Sequence, residues 1–393
     1  MTRPLRICLW GQFGTGNFGN DASLEAMLLF LRRAAPDAAI TVVCSDPDRV
    51  ARHFNVRCEP MTWEGGESRV FQLVNRLGLK LPQKAGAWLD ARKRARAFDV
   101  FIIPGTGILD DFGTGPFGLP FDVYRWTTAA KAAGARVAVV SIGAGPIRNA
   151  LSRHYMTSAA KAACFRTYRD RFSLDYMQAH GVSAESDAVA PDIAFSLPRP
   201  PLAPPAGKLT IGLGVMLYRG WGRRDANADA IYSTYIETLA AFCEATLASG
   251  KRIRLLVGQD SDARAVADLT ARLGPRDNLI ATPQEDMHAV LREIAQCDLV
   301  VATRFHNVVA ALKLARPTVS LSYQEKNDVL LAEMGLARFR QHVEEFSVET
   351  LLAHVEELTA NRAQYEAGIK EAVARFEAAL AAQEERLRAE ILS

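Results

Sequence analysis

LVVATRFHNVVAALKLARPTVSLSY, Leu299 to Tyr323, reads as one complete strand–helix–strand unit. Leu299, Val300, Val301 and Ala302 form a run apolar on both faces, as a strand in a parallel sheet must be. A helix is predicted from about Asn307 to Leu314. Pro317 ends it, and a second buried strand runs from Thr318 to Leu321. Ligands of open parallel sheets bind beyond the carboxyl ends of the strands, against helix N-termini. Arg304 and His306 fall in that turn, so a permanent cation and an imidazole stand two residues apart where an anion would be held. The plainer alternative is that Arg304 pairs with a structural carboxylate while His306 packs on the helix.

The same alternation continues in both directions. Upstream, strands are predicted at Leu209–Val215, Arg252–Val257 and Leu279–Ala281, and helices at Ile231–Ser249, Asp262–Leu273 and Met287–Gln296. The first half repeats the style, with strands at Arg6–Trp10, Ile40–Cys44, Asp99–Ile103, Arg136–Ile142 and Cys164–Tyr168. Between the halves lies PRPPLAPPAG, Pro198 to Gly207, a proline-rich spacer that reads as a semi-rigid linker. The expectation is an α/β chain of two Rossmann-like doubly wound domains, GT-B-like, with a cleft between them. The predicted domains are residues 1–197 and 208–346, joined by a 198–207 linker and followed by a helical tail, 347–393. In the tail, Val348, Leu351, Val355 and Leu358, then Ile369, Val373, Phe376 and Leu380, keep helical spacing. That tail suits either a return across the first domain or a contact in a homo-oligomer.

Composition narrows the function classes. The chain has 393 residues, of which 49% are hydrophobic and 23% charged, enough to build large cores. A net charge of +3 without a dense basic block argues against nucleic acid. No apolar run reaches membrane-spanning length, and the N-terminus lacks a signal-peptide core. Six scattered cysteines, none in metal-ligand spacing, read as reduced thiols of a cytoplasmic protein. Neither a metal nor a cofactor is implied. Residues Met61 to Arg96 read as a loop-rich insertion, with Gly65-Gly66 and the basic run ARKRARAF. That run is expected to be a solvated face and not a membrane anchor, because no strong apolar face accompanies it.

Several strand ends carry glycine-rich loops. Gly14, Gly16 and Gly19 in GQFGTGNFGND match G-x-G-x-x-G, with Asp21 and Ser23 as candidate caps of a helix from about Leu24 to Arg33. Asp46 comes late for the ribose-binding acid of a dinucleotide site, so the loop is better read as amides facing an anion or a sugar. Gly105 and Gly107 in PGTGILDD, and Gly143 and Gly145 in SIGAGPI, are the others. Glycine allows positive φ and close approach of a ligand to the backbone.

Taken in order, these motifs resemble the polysaccharide pyruvyl transferases. GQFGTGNFGNDASLEAML is similar to that family's G-x-x-G-x-x-N-x-G-D opening, except that Asn20 intrudes before Asp21. ATRFHNVVAALKLARPTVSLSY resembles its R-x-H-x-x-x-x-A-L segment, and KNDVLLAEMGL its trailing K-x-x-x-x-L-x-x-x-G-L. GTGILDD, SIGAGPI, RDRFS and PDIAFSL fall in the family's order. The resemblance implies transfer of a pyruvyl group from phosphoenolpyruvate to a sugar of a cell-surface polysaccharide, in exopolysaccharide biosynthesis, as a ketal. It also implies a GT-B-like fold, with Arg304 binding the donor and His306 acting in acid–base chemistry. Phosphoenolpyruvate carries two anionic groups, which suits Arg304 and the amides near Asn307. Asp21 is the first candidate base, ahead of Asp110, Asp111 and Asp192. Gly16, Asn17, Gly19, Gly105, Gly107, Gly143, Gly145, Arg169 and Lys326 are further candidate substrate contacts. Trp221 and Arg223, with Arg219 and Arg224, are candidates for the acceptor, which a lipid-linked oligosaccharide at the inner membrane face would satisfy. A nucleotide-sugar glycosyltransferase is the first competing reading. A non-catalytic sugar-binding component and a nicotinamide enzyme are the others.

Overall fold

A computed structural model describes residues 3–63, 65, 81–202, 207–220 and 227–393. Trp221, Arg223 and Arg224, part of the 61–96 insertion and part of the proline-rich linker lie outside the described residues. Contact clustering divides the chain into two compact units: Met1–Thr15, Ser23–Ile193 and Leu380–Ser393 form the first, and Gly16–Ala22 with Ala194–Ala379 the second.

In chain order the elements begin with β1 (Arg6–Gly11), α1 (Phe18–Ala34), β2 (Ala39–Cys44), α2 (Pro47–Phe54) and β3 (Arg57–Pro60). Next come α3 (Leu81–Ala95), β4 (Val100–Pro104), α4 (Leu119–Ala132), β5 (Arg136–Ile142), α5 (Ala150–Ala162), β6 (Phe165–Tyr168), α6 (Arg171–Ala179) and β7 (Ala188–Val189). The first unit's sheet is parallel, in the order β3-β2-β1-β4-β5-β6-β7. The order reverses direction at β1, whose Ile7 lies between Ile40 and Val100. Its central strands β1, β4 and β5 are buried almost throughout, on both faces, as strands covered by helices on both sides must be. Cys8, Trp10, Phe101 and Trp126 are fully buried in one core, with the Phe101 and Trp126 rings stacked at 6.4 Å.

The second unit continues with β8 (Thr210–Gly214), α7 (Ala228–Ala248), β9 (Arg252–Leu256), α8 (Asp262–Leu273), β10 (Leu279–Ile280), α9 (Met287–Ile294) and β11 (Leu299–Ala302). It closes with α10 (Phe305–Lys313), β12 (Thr318–Ser322), α11 (Glu325–Glu333), β13 (Arg340–His342), α12 (Val348–Ala360) and α13 (Arg362–Leu387). This sheet is also parallel, ordered β10-β9-β8-β11-β12-β13. The quoted strand–helix–strand unit is thus β11–α10–β12, with β11 central between β8 and β12.

Three features differ from the expected organisation. The division falls after Ile193, because the next residues are bonded into the second unit: Lys313 Nζ donates to the Phe195 carbonyl at 2.5 Å, and Arg199 Nε to the Lys313 carbonyl at 3.1 Å. The tail does not form one body. Leu351, Val355, Leu358 and Ile369 are buried in the second unit, whereas Gln383 lies in the first and accepts from Ser141 Oγ at 3.1 Å and Thr167 Oγ1 at 2.5 Å. Finally, α1 starts six residues before the expected Leu24, at Phe18. Asn17 and not Asp21 or Ser23 is its cap: Asn17 Oδ1 accepts from the amides of Gly19 at 3.1 Å and Asn20 at 3.4 Å. Ser23 is buried inside the helix.

Candidate functional site

The second unit brings most of the N-terminal glycine segment to Arg304 and His306. β11 delivers Thr303 to the sheet's carboxyl edge, Arg304 is the N-cap of α10, and His306 sits in that helix's first turn. Residues 16–18 run antiparallel along the loop after β9. Asn17 bridges Gln259, Phe18 N donates to Gly258 O at 3.1 Å, and Asp260 N donates to Gly16 O at 3.0 Å. Gly16 has φ +80°, and a Cβ there would come within 2.4 Å of the Asp260 carboxylate. The chain then turns under the imidazole. A Cβ on Gly19 would lie 1.8 Å from His306 Nδ1, so only a residue without a side chain fits while the ring keeps its place. Asp21 comes next, in the first turn of α1 and not in a loop.

Arg304 is held at two points. Its Nε donates to Asp262 Oδ2 at 2.9 Å and its Nη2 to Asp262 Oδ1 at 2.7 Å. Asp262, the first residue of α8, is 0% exposed and also accepts from the amides of Leu217 at 3.0 Å and Gly258 at 3.2 Å. Burial opposes the charge on Arg304, but the bidentate bond to Asp262 outweighs it and holds the guanidinium more firmly protonated than usual. The structural-carboxylate alternative is therefore realised. A guanidinium has five N–H donors, so the two Asp262 bonds leave three for other acceptors, and the Arg304 side chain keeps 13% exposure.

Around this pair the walls are polar but sparsely bonded. Asn307 is fully buried, and among the described residues neither end of its carboxamide has a hydrogen-bond partner. Two glycines accommodate it: a Cβ on Gly214 would meet its Nδ2 at 3.0 Å, and one on Gly258 its Oδ1 at 3.1 Å. A buried amide in that state costs on the order of 1–3 kcal/mol unless a water or ligand satisfies it. Lys326 extends over the Phe305 and Tyr323 rings, 5.6 Å from each centroid. Behind the strand end, Asn327 Nδ2 donates to Ser320 Oγ at 3.0 Å and to the Thr303 carbonyl at 3.4 Å. The Tyr235 hydroxyl bonds Thr303 Oγ1 at 2.9 Å and accepts from Met216 N at 3.2 Å. Burial raises the Tyr235 pKa, which keeps it a neutral hydroxyl. Its ring also lines a depression of about 350 Å³, with Asn227, Thr234, Glu344 and Phe346.

Most of the remaining candidates lie in the first unit, chiefly at the carboxyl ends of β4, β5 and β6. The two glycine loops there bond each other: Gly143 N donates to Thr106 O at 2.9 Å and Gly145 N to Leu109 O at 2.8 Å. Arg169 packs against them, its Nη2 only 2.5 Å from where a Gly143 Cβ would stand. It is buried between two carboxylates, with Asp170 at 3.6 Å and Asp192 at 3.7 Å. Asp170 also caps α6 by accepting from Ser173 N at 2.7 Å. Gly107 is under no such steric demand, its nearest contact being Asp110 Oδ2 at 3.7 Å. Asp111 braces a loop, accepting from Arg148 N at 3.0 Å and Asn149 N at 2.7 Å, and Asp110 Oδ1 accepts from Phe112 N at 3.0 Å. Asp46 caps α2 by accepting from Arg49 N at 3.0 Å. Arg219 pairs with Asp229 at 2.5 Å.

Sequence pattern alone does not single out Asp262, Asn327 or Tyr235 as site residues. A signal existed for Asp262 in the GQDSD run, where a strand end carries two carboxylates. Nothing local marks Tyr235, which lies 68 residues before Thr303.

Two parallel sheets, each wrapped by helices, place the chain in the GT-B-like class of two-domain α/β enzymes. Solved structures share the fold at low identity. UDP-GlcNAc 2-epimerase from Methanocaldococcus jannaschii superposes with a TM-score of 0.59 at 12% identity, covering 90% of this chain and 92% of that one. The Neisseria meningitidis UDP-GlcNAc 2-epimerase, bound to UDP-GlcNAc, gives 0.56 at 10% identity over 95% and 99%. MurG of Acinetobacter baumannii gives 0.55 at 13% over 95% and 94%. No curated protein matches the chain. The family model of polysaccharide pyruvyl transferase matches residues 17–325, and the chain belongs to that family of enzymes. No helix among the described residues is long and apolar enough to cross a membrane.

Proposed function

We propose that the enzyme moves a pyruvyl group from phosphoenolpyruvate to two hydroxyls of a sugar, forming a cyclic ketal and releasing phosphate. The observation that carries this reading is the seating of His306 on Gly19 beside Arg304, which Asp262 holds by two bonds. Family membership supports a sugar as acceptor. The donor is an anion with a carboxylate and a phosphate. The remaining donors of Arg304, the first-turn amides of α10 and the ammonium of Lys326 offer complementary charge. The unsatisfied Asn307 amide adds a polar group that a bound ligand or an ordered water would complete.

In the chemistry, His306 delivers a proton to the methylene carbon, which becomes the methyl group of the ketal. The adjacent carbon takes on oxocarbenium character. One sugar hydroxyl attacks it, phosphate departs, and the second hydroxyl closes the ring. Two hydroxyl protons are released; one replaces the proton spent on carbon and the other leaves with phosphate. Histidine suits this role because its ordinary titration range spans neutrality. Asp21, in the first turn of α1, is assigned the base that receives a hydroxyl proton. The reading extends to a cytoplasmic enzyme whose acceptor is a polysaccharide precursor, lipid-linked where assembly takes place on a carrier.

The test is a thermal-shift titration of wild type and Arg304→Ala with phosphoenolpyruvate, UDP and GDP. A ligand that binds only the folded state raises Tm. Stabilisation by phosphoenolpyruvate, lost in Arg304→Ala, is expected. The second reading is a nucleotide-sugar transferase, favoured by a fold shared with an epimerase bound to UDP-GlcNAc. A response to a nucleoside diphosphate in place of phosphoenolpyruvate would move the assignment there.

A further inference from the structure

The first unit carries an aromatic and basic face on α3, α4 and α5. Of the five strongly exposed large apolar side chains among the described residues, three are here: Leu89 at 67%, Phe117 at 50% and Leu151 at 37%. Their neighbours form a continuous chain of rings across the three helices. Phe117 meets Phe121 at 6.5 Å, Phe121 meets Trp88 at 6.1 Å and Tyr155 at 5.7 Å, and Tyr124 stacks on Tyr155 at 4.9 Å. Leu151 precedes Tyr155 by one helical turn, so both lie on the same side of α5.

The charge on these helices is one-sided. Together α3, α4 and α5 hold eight Lys and Arg against only Asp90 and Asp122, while the whole chain carries just +3. Both acids are already paired, Asp90 with Arg94 and Asp122 with Arg125. Lys84 lies one turn before Trp88, with its Nζ 5.3 Å from the Phe121 centroid and donating to the Phe117 carbonyl. Arg92 and Lys93 come one turn after Trp88 and Leu89 and are exposed, as is Arg148 just before α5.

We propose that this face docks the protein on an anionic lipid bilayer, with Leu89, Phe117 and Trp88 entering the headgroup region and the surrounding cations neutralising lipid phosphates. Amphipathic rings belong at that depth, and exposed apolar side chains ringed by lysine and arginine match a surface that is apolar below and negative above. In α3 itself Ala87, Ala91 and Ala95 are buried, which leaves Leu89 and the half-buried Trp88 as its exposed apolar contribution. The rings of α4 and α5 packed beside Trp88 extend that surface.

The experiment is co-sedimentation of the full chain with vesicles of phosphatidylcholine alone or with about 30% phosphatidylglycerol, at about 50 and 500 mM salt, bracketing the screening range. Binding to the anionic vesicles, at least tenfold stronger than to the neutral ones and weakened by salt, is expected. Leu89→Glu/Phe117→Glu should lose at least tenfold with an unchanged Tm, since both side chains are already solvent-exposed. Brominated lipids should quench tryptophan emission in wild type and less so in Trp88→Phe. Absence of binding at low salt, or binding indifferent to the double substitution, would overturn the proposal. Self-association abolished by the double substitution, without vesicle binding, would overturn it in favour of a second copy as occupant.

Discussion

The fully buried Asp262 carboxylate grips Arg304 at 2.9 and 2.7 Å, so the strongest cation near the proposed donor site is also an ion-pair partner. Removing one member of a buried pair strands the other, at a cost of about 3–5 kcal/mol. Asp262→Asn should therefore destabilise the protein by about that amount in urea unfolding. In a double-mutant cycle, Arg304→Ala should recover part of the loss, because no charge is then left stranded. Strictly additive losses would mean that the two side chains are energetically independent.

Gly19 offers a cleaner separation of chemistry from folding. In a helix, Gly→Ala ordinarily gains up to about 1 kcal/mol. At this position the new methyl would overlap the His306 ring at 1.8 Å, and the ring must leave its seat. Gly19→Ala should keep Tm within a few degrees of wild type yet lower pyruvyl transfer at least a hundredfold, measured as acceptor-dependent phosphate release. Full activity would show that the imidazole need not sit there.

Arg169 in the first unit poses the same question in another form, since it lies buried between Asp170 and Asp192. Arg169→Met should cost about 3 kcal/mol by leaving two carboxylates without a cation. Adding Asp192→Asn should restore part of that, and chemical denaturation of the single and double variants decides it.

Lys313 predicts an alkaline signature. Burial, reinforced by Arg199 nearby, lowers its pKa from 10.5 to about 8. Because the folded value lies below the unfolded one, the folded state binds fewer protons between about pH 8 and 10.5, and stability contributed by this group rises with pH across that window. The span is on the order of 3 kcal/mol. Stability measured from about pH 7 to 10.5 should rise more steeply in wild type than in Lys313→Met, and parallel profiles would rule the lysine out as the source.

Much of this protein is legible without coordinates. Strands buried on both faces must be mostly apolar, so β1, β4, β5 and β11 announce themselves, and Pro317 marks the break between α10 and β12. The ordered motifs carry the family, and the family model agrees over residues 17–325. What the chain does not spell out is which distant segments meet. Asn17 and not Asp21 is the helix cap because the helix begins at Phe18, and the Asn17 carboxamide accepts from two amides of its first turn. Gly19 looked like a phosphate-loop glycine, but an imidazole 287 positions away is what forbids it a side chain. Asp262 gave no sign of its partner, because a carboxylate in a turn acquires meaning only when the fold buries it against a guanidinium. Local propensity and periodicity are written in neighbouring residues and survive in sequence. Ion pairs, steric contacts and shared surfaces depend on three-dimensional proximity, and tertiary packing alone decided them.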